Sequence, residues 1–198
     1  MKIDTLELGP IQTNCYIVYN EGAEEAIVID PAGEPEKIKK ALDGKKAAAV
    51  LLTHGHFDHT GALSAFAGTP IYMHPSDDVM LLDPVWSVGD MVGDTAPRPA
   101  ATNFVQEGNK LCLAGLEIAV LHTPGHTLGS VCYRIGDALF TGDTMFHGSY
   151  GRTDFPGGDE AELFRSLRRL LKLEKDYIVC PGHGEPTSIF QERELYSR

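Results

Sequence analysis

Histidines and an aspartate crowd the segment THGHFDHTG at residues 53–61, which holds three of the chain's eight histidines. Side chains two residues apart in an extended chain point the same way, so His54 and His56 are expected to share one metal ion. Asp58 and His59 are then left for a second ion. Imidazole and carboxylate groups suit zinc, iron and manganese alike. The segment therefore predicts a metal centre.

The four candidate ligands of this segment are too many for one ion and too few for two. A catalytic zinc ion takes three protein ligands and keeps an open position, so further ligands must come from downstream. Three residues qualify because each follows a β-like stretch and has a glycine close by. They are His126, Asp143 and His183. Glycine permits the close backbone approach and positive φ that a loop around a metal often requires.

Short strands are the elements that must position these ligands. Residues 47–52 have the apolar composition of a strand buried on both faces, and they lead into the histidine segment. Similar stretches precede the downstream ligands, at residues 116–121, 138–140 and 177–180. Residues 60–66 predict a short helix after the segment. The candidate ligands are thus expected on loops that follow strands.

The remaining segments alternate strands and helices. Residues 3–8, 15–19 and 26–29 predict an antiparallel meander. A helix opens at residues 34–36, with proline in its first turn, and stops at Asp43-Gly44. Later, residues 102–133 predict several short strands that start a second sheet, and Asp159 is a candidate N-cap for an amphipathic helix. Residues 189–198 predict a short helix or tail.

Residues 83–100 form the longest stretch without a regular pattern. The stretch contains three prolines and two glycines. A loop of this length within a domain is usually functional or disordered. Its apolar residues argue against full disorder and are expected either to wall the site or to anchor the loop; they are Trp86, Met91 and Val92.

Length, composition and charge limit the classes of protein to consider. With 198 residues, 42% of them hydrophobic, the chain is expected to form one domain over residues 1–198. The formal charge of −11 disfavours a nucleic-acid partner, because phosphate backbones are bound by clustered lysines and arginines. The acidic amino terminus and the lack of a long apolar run predict a cytoplasmic protein with no membrane partner.

Two further groups of residues are expected to be structural. The cysteines are widely spaced and form no C-x-x-C pair, so they are predicted to be buried free thiols. They are Cys15, Cys112, Cys132 and Cys180. Three histidines fall outside the candidate ligand pattern and are also predicted to be structural, namely His74, His122 and His147.

The ordered pattern H-x-H-x-D-H, histidine, aspartate, histidine resembles the metallo-β-lactamase-fold superfamily at all seven positions. The resemblance implies an α/β fold, the αββα sandwich of two mixed β-sheets between outer helices. It implies two divalent metal ions, with zinc expected and iron or manganese as alternatives. Asp30 would orient a ligand histidine. The implied ligands are His54, His56 and His126 for the first ion, Asp58, His59 and His183 for the second, and Asp143 as the bridge.

Residues 148–155, GSYGRTDF, resemble the glyoxalase II (hydroxyacylglutathione hydrolase) branch of this superfamily, especially its short bacterial members. The resemblance implies hydrolysis of S-lactoylglutathione or a related hydroxyacyl thioester. Arg152 matches a basic residue that contacts glutathione in that branch, and Tyr150 is a second candidate substrate contact. Asp154 departs from the pattern, because full-length enzymes carry a glutathione-contacting tyrosine there and a helical domain after the last ligand. Arg152 is equally interpretable as a structural partner of Asp154 or Asp159.

Two ions that share Asp143 would lower the pKa of a bridging water and give a hydroxide that attacks the thioester carbonyl. Asp58 would bind the second ion and also orient this nucleophile. An alternative comes from the same GRTDF run, which is similar to persulfide dioxygenases, mononuclear iron enzymes of this fold. Lactamase activity is disfavoured, because secreted lactamases carry a cysteine at the position of Asp143.

Overall fold

Two six-stranded sheets form the centre of the structure, a computed structural model that describes residues 1–196. The first sheet contains, in spatial order, β1 (Lys2–Leu8), β2 (Thr13–Tyr19), β3 (Glu25–Ile29), β4 (Lys46–Leu51), β5 (Ile71–Met73) and β6 (Asn103–Phe104). The second contains, in spatial order, β12 (Thr187–Ser188), β11 (Ile178–Pro181), β10 (Ala138–Gly142), β9 (Val131–Ile135), β8 (Leu116–His122) and β7 (Lys110–Leu113). Both sheets are mixed, which confirms the predicted αββα class.

Helices flank the sheets and occupy the loops near the candidate ligands. The α-helices of the described residues are α1 (Pro35–Leu42), α2 (Phe57–Thr60), α3 (Glu160–Leu170) and α4 (Ile189–Tyr196). The 3₁₀-helices are Leu63–Phe66, Pro75–Leu81 and Gly89–Val92. None of the helices within residues 1–196 has the length and apolar character that crossing a membrane requires. The last two residues of the predicted tail, Ser197 and Arg198, lie outside the described residues.

Strand pairing decides which strand ends meet. The strands β1, β2 and β3 form the predicted antiparallel meander, and β3 to β6 run parallel. In the second sheet, β7 to β10 pair antiparallel, and α3 carries the chain from β10 to the parallel strand β11. The loops that follow β4, β8, β10 and β11 meet at one edge of the sandwich.

Apolar side chains fill three layers around the two sheets. The layer between the sheets includes Val120 and Phe140. One outer layer buries Ile38 of α1, and the other buries Leu163 and Leu167 of α3. Burying an aliphatic side chain of this size contributes about 1.5–3 kcal/mol, so these contacts are the main attachment of both helices. They hold α1 and α3 on the outer faces of the sandwich.

The predicted helix over residues 60–66 is wrong in its position. The structure instead has α2, which starts at Phe57, and a separate 3₁₀-helix at Leu63–Phe66. The chain leaves the α-helical path because the Ala62 N–H donates to the Pro31 carbonyl at 2.8 Å. Asp58 and His59 therefore lie on a helical turn.

The second sheet begins later than predicted. The strand β6 pairs with β5 of the first sheet, and the Thr102 N–H donates to the Ile71 carbonyl at 3.0 Å. Cys112 also differs from its prediction, because it is exposed on the edge strand β7. The other three cysteines are buried, and all four are free.

Of the three apolar residues expected to wall the site or to anchor the loop over residues 83–100, two are exposed. Met91 is 69% exposed and Val92 is 61% exposed, so neither anchors the loop. Trp86 is half-buried. The Arg98 guanidinium donates to Asp94 at 3.0 Å, and this pair fixes the end of the loop.

Candidate metal centre

The first cluster of candidate ligands is built directly after β4. His54 and His56 are 1% and 3% exposed, in a tight turn. A Cβ atom at Gly55, between them, would lie 2.5 Å from the Met80 Cβ, so the close packing requires glycine. Asp58 and His59 follow on α2. The local sequence thus directs all four side chains into one region.

The three downstream residues join them from the second sheet. His126 lies in the turn between β8 and β9, Asp143 follows β10, and His183 follows β11. The structure therefore brings together all seven residues that the sequence predicts as ligands. Their candidate ligand atoms lie within 4.8 Å of one another in three overlapping groups: His54, His56 and His126; His54, His59 and Asp143; and Asp58, His59 and His183.

Asp143 lies between the two ends of the cluster. Its Oδ1 is 3.2 Å from His59 Nε2, and its Oδ2 is 3.5 Å from His126 Nε2 and 3.6 Å from His183 Nε2. Asp58 Oδ2 is 3.3 Å from the Nε2 atoms of both His59 and His183. A carboxylate in the position of Asp143 reaches both groups at once, as a bridging ligand must.

Several buried polar atoms of the cluster lack hydrogen bonds within residues 1–196. They include His54 Nε2, His59 Nε2 and Asp143 Oδ1. An unsatisfied buried polar atom costs about 1–3 kcal/mol. Divalent cations would satisfy these atoms, and the imidazole and carboxylate donors are those that zinc and iron accept. The residues present therefore fit a dinuclear metal site.

The histidine end of the cluster favours neutral imidazoles. Burial, together with His59 and other nearby histidines, holds the pKa of His54 well below its usual value. Burial and His126 lower the pKa of His56 to about 3. Neutral imidazole is the form that binds a metal.

The acidic end of the cluster favours positive charge. Burial lowers the pKa of His59, but Asp58, Asp143 and Asp30 outweigh it and hold that pKa well above its usual value. Burial also lowers the pKa of His183, but Asp143 and Asp58 outweigh this effect and raise that pKa to about 9. In return, burial raises the pKa of Asp58, but His59 and His183 overcome it and bring that pKa to about 2.

Asp30 lies directly behind the cluster and is 2% exposed. Its Oδ2 accepts a hydrogen bond from His59 Nδ1 at 2.9 Å and one from Thr53 Oγ1 at 2.7 Å. Thr53 Oγ1 is in turn 3.1 Å from His54 Nδ1. Asp30 is thus placed to orient His59 directly and His54 through Thr53, in the position that the resemblance to the superfamily implies.

The chain matches the Metallo-beta-lactamase superfamily over residues 8–183. It belongs to this superfamily. A relative in Haemophilus influenzae is the hydroxyacylglutathione hydrolase GloC, which is 36% identical over 205 residues, covering 98% of this chain and 95% of GloC. Membership of the superfamily and the His/Asp cluster together support a metal-dependent hydrolase.

Two solved structures of the superfamily are similar over nearly the whole chain. The BLEG-1 B3 metallo-beta-lactamase aligns with a TM-score of 0.91 and 36% identity, over 98% of this chain and 97% of its own. TTHA1623, in a di-iron-bound form, aligns with a TM-score of 0.85 and 38% identity, over 97% of this chain and 98% of its own. The fold of this superfamily member is therefore shared with a di-iron protein and a lactamase.

Two residues at the start of β2 contact the site but were not predicted as site residues. Thr13 Oγ1 donates to Asp58 Oδ2 at 2.8 Å. Asn14 Nδ2 donates to the carbonyls of Pro181 and Gly184 at 3.0 and 2.9 Å, and so holds the loop that carries His183. The sequence contains no local signal for these contacts, because they join residues 45 to 170 positions apart.

The loop after Asp143 runs along the edge of the cluster. Arg152 is held by Asp154 through two hydrogen bonds of 2.6 Å, and its guanidinium lies 3.9 Å from the centre of the Phe155 ring. The ring centres of Phe155 and His56 are 5.9 Å apart. The carbonyl of Arg152 also accepts a hydrogen bond from His126 Nδ1 at 2.7 Å. The structure thus places Arg152 beside the cluster, with its charge already paired.

The other residues considered in the sequence lie around this loop or apart from it. Tyr150 is 37% exposed and packs its ring edge-on against Phe164. Asp159 is not a partner of Arg152, since it caps α3 by accepting from the Glu162 N–H at 2.9 Å, as predicted. The three remaining histidines lie outside the ligand groups: His74 and His122 stack on each other, and His147 contacts Gln191.

Proposed function

We propose that this chain is a dinuclear metal-dependent hydrolase of thioesters, with S-lactoylglutathione or a related hydroxyacyl thioester as substrate. The observation that carries the proposal is the position of Asp143 between two groups of ligand atoms. The 36% identity to GloC, a hydroxyacylglutathione hydrolase, supports the choice of substrate class. The net charge of −11 favours a small molecule over a nucleic acid as partner.

The seven clustered residues divide between two ions in this proposal. When bound, two divalent ions lower the pKa of a water and polarise the substrate carbonyl. Zinc is the expected metal, and the di-iron form of TTHA1623 supports iron as the alternative. The ligand sets are His54, His56 and His126 for one ion, Asp58, His59 and His183 for the other, and Asp143 for both.

Asp58 has a second role, as the residue that orients the attacking water. Its side chain is 10% exposed, and Thr13 fixes the carboxylate by donating to Oδ2. A fixed carboxylate beside the substrate accepts a hydrogen bond from the attacking water and holds the oxygen of that water toward the thioester carbonyl. His183, with 25% of its side chain exposed, lies on the same open side. The thioester is therefore expected to approach from the side of Asp58 and His183.

The loop from Tyr150 to Phe155 would contact the thiol half of the substrate. Phe155 offers an apolar ring beside His56. Arg152 would bind a carboxylate of the thiol half, since a guanidinium pairs with a carboxylate through two parallel hydrogen bonds. That carboxylate must compete with Asp154, which holds the same donor atoms. Asp154 is therefore expected to weaken the binding of anionic thiols such as glutathione.

A substrate panel with metal analysis tests the proposal. The purified protein is offered S-lactoylglutathione, a small neutral acyl thioester, a β-lactam, and glutathione persulfide with oxygen uptake recorded. We expect close to two divalent ions per chain and cleavage of the glutathione thioester to thiol and lactate. Oxygen uptake with persulfide, one iron and no thioester cleavage would make the chain a dioxygenase. Lactam cleavage alone would assign it the activity named for BLEG-1.

Variants of the loop test the substrate contact. Arg152→Ala should raise KM for S-lactoylglutathione about tenfold and change kcat little. Asp154→Asn should lower the same KM by about two- to fivefold, since it frees an exposed arginine. The matched control is Arg168→Ala, an exposed arginine on α3. Equal cleavage of all thioesters, untouched by Arg152→Ala, would leave a thioesterase without a glutathione site.

A further inference from the structure

A second buried carboxylate, Asp77, contacts other parts of the candidate metal centre than Asp30 does. It belongs to the 3₁₀-helix Pro75–Leu81 and is 0% exposed. Its Oδ1 accepts a hydrogen bond from the Gly129 N–H at 2.6 Å. Its Oδ2 accepts one from Thr127 Oγ1 at 2.7 Å and one from the Gly55 N–H at 3.3 Å. Asp77 is not among the clustered candidate ligands.

The three donors belong to the two loops that carry the proposed ligands of the first ion. Gly55 stands between His54 and His56 in the chain, and Thr127 directly follows His126. These loops come from different sheets, since one follows β4 and the other joins β8 to β9. A single carboxylate thus connects the backbone around all three histidines.

Both loops are pressed against the helix that carries Asp77. A Cβ atom at Gly129 would lie 2.6 Å from Asp77 Oδ1, and one at Gly55 would lie 3.0 Å from the Asp77 carbonyl oxygen. Neither glycine has a positive φ, so the close approach, rather than an unusual backbone conformation, requires glycine at both positions. The contacts to Asp77 therefore add to the backbone hydrogen bond from the Val131 N–H to the Thr53 carbonyl in holding the loops together.

Asp30 does not perform this task for His56 and His126. It reaches His59, and it reaches His54 through Thr53. His56 Nδ1 instead lies 2.9 Å from His126 Nε2, and His56 Nε2 lacks a hydrogen bond within the described residues. The separation of His56 from His126 therefore depends on their loops and on the Arg152 carbonyl, which accepts from His126 Nδ1 at 2.7 Å.

We propose that Asp77 is a positioning residue for the first metal ion, which sets the separation of the loops that carry His56 and His126. This inference rests on the proposed ligand sets and is independent of the substrate. Residues that hold metal ligands in place typically change metal affinity by about 10- to 100-fold when they are replaced. Loss of Asp77 is expected to affect the first ion and spare the second.

The experiment measures zinc affinity by competition with a chromophoric chelator, without substrate. Two backgrounds separate the sites: His183→Ala removes a ligand of the second ion, and His54→Ala removes a ligand of the first. In the His183→Ala protein, Asp77→Asn should lower the zinc affinity of the remaining first site about 10- to 100-fold. It should leave zinc affinity in the His54→Ala protein unchanged.

Two further variants keep the test interpretable if Asp77→Asn destabilises the fold. Thr127→Val removes one hydrogen-bond donor and retains the Asp77 carboxylate, so it should lower the zinc affinity of the first site by a smaller factor. Asp78→Asn is the control, since Asp78 lies on the same helix and its buried Oδ1 has no hydrogen-bond partner within the described residues. If Asp77→Asn lowers zinc affinity equally in both backgrounds, or lowers it in neither, Asp77 has no positioning role for the first ion. A chain that binds zinc normally but cleaves no thioester would contradict the proposed function alone.

Discussion

The metal cluster and the loop after Asp143 are adjacent, but the structure holds them in different ways. The cluster histidines His54, His56, His59 and His126 are at most 3% exposed, and buried carboxylates hold their loops. In the loop, the side chains of Arg152 and Asp154 are 56% and 65% exposed and hold each other. The difference indicates that the candidate metal ligands lie on fixed strand ends, whereas the proposed substrate contacts lie on a surface where sequence changes cost little stability.

The loop nevertheless has a buried anchor, Glu192. Glu192 of α4 is 0% exposed and accepts hydrogen bonds from the Gly148 N–H at 2.9 Å and Thr187 Oγ1 at 2.7 Å. The hydroxyl of Tyr196 donates to the Ser149 carbonyl at 3.2 Å. Glu192 thus fixes the loop where it leaves the cluster, while its Arg152 end is exposed. We therefore expect similar substitutions to have different effects on activity and stability in the two regions.

The largest effect is expected inside the cluster. Asp58→Ala or His59→Ala should lower kcat/KM for thioester hydrolysis by at least about 10²- to 10⁴-fold, because an orienting carboxylate or a metal ligand is lost. The first metal ion should largely remain, which metal analysis of the same protein preparations checks. His147→Asn, an exposed histidine outside the cluster, is the control. Full hydrolysis by a protein with only the first ion would disprove the two-metal mechanism.

An intermediate effect is expected at the anchor of the loop. Glu192→Gln leaves one buried donor poorly paired and should lower the free energy of unfolding by about 1–3 kcal/mol. KM for S-lactoylglutathione should rise more than kcat falls, while the metal content stays at two, because the cluster is held by other residues. Denaturant unfolding and steady-state kinetics measure both quantities.

Glu194→Gln is the matched control for this change. Glu194 lies on the same helix and is exposed. It should leave both stability and KM unaltered. A loss of metal in Glu192→Gln would show that the loop and the cluster are one unit, contrary to the comparison above.

The smallest effect is expected at His74, the N-cap of the helix that carries Asp77, which lies outside the cluster. Burial and the stacked His122 ring lower the pKa of His74 from 6.5 to about 4. As the pH falls, the unfolded chain therefore protonates His74 before the folded chain does. The stability that neutral His74 contributes is complete above pH 6.5 and is lost as the pH falls from 6.5 to 4.

His74→Asn removes this titration and retains an acceptor for the Ser76 N–H. Its melting temperature should fall less than that of the unaltered chain between pH 7 and pH 4.5, and thioester hydrolysis at pH 7 should be unchanged. Thermal unfolding across this pH range measures the difference. Parallel curves for the two proteins would assign the acid sensitivity to other groups.

Much of the site could be predicted from the sequence because its ligands form an ordered pattern with short local spacings. His54, His56, Asp58 and His59 fall within six residues, and glycines mark the loops of the other three ligands. The strands before them and the helix α3 were predictable for a similar reason, since hydrophobic periodicity and capping residues act over a few positions. Asp30 was predictable only through the resemblance to the superfamily.

Apart from Asp30, only the tertiary structure showed which residues hold the candidate ligands and the loop after Asp143 in place. Thr13, Asn14, Asp77 and Glu192 each act on a segment distant in sequence, and no local pattern distinguishes them from ordinary turn or surface residues. The pairing of Arg152 with Asp154, rather than with Asp159, was likewise open in the sequence and depends on how the loop folds against His126. The sequence alone determines the order of the candidate ligands. Their separation and orientation depend on the register of the two sheets and on the buried carboxylates between their loops.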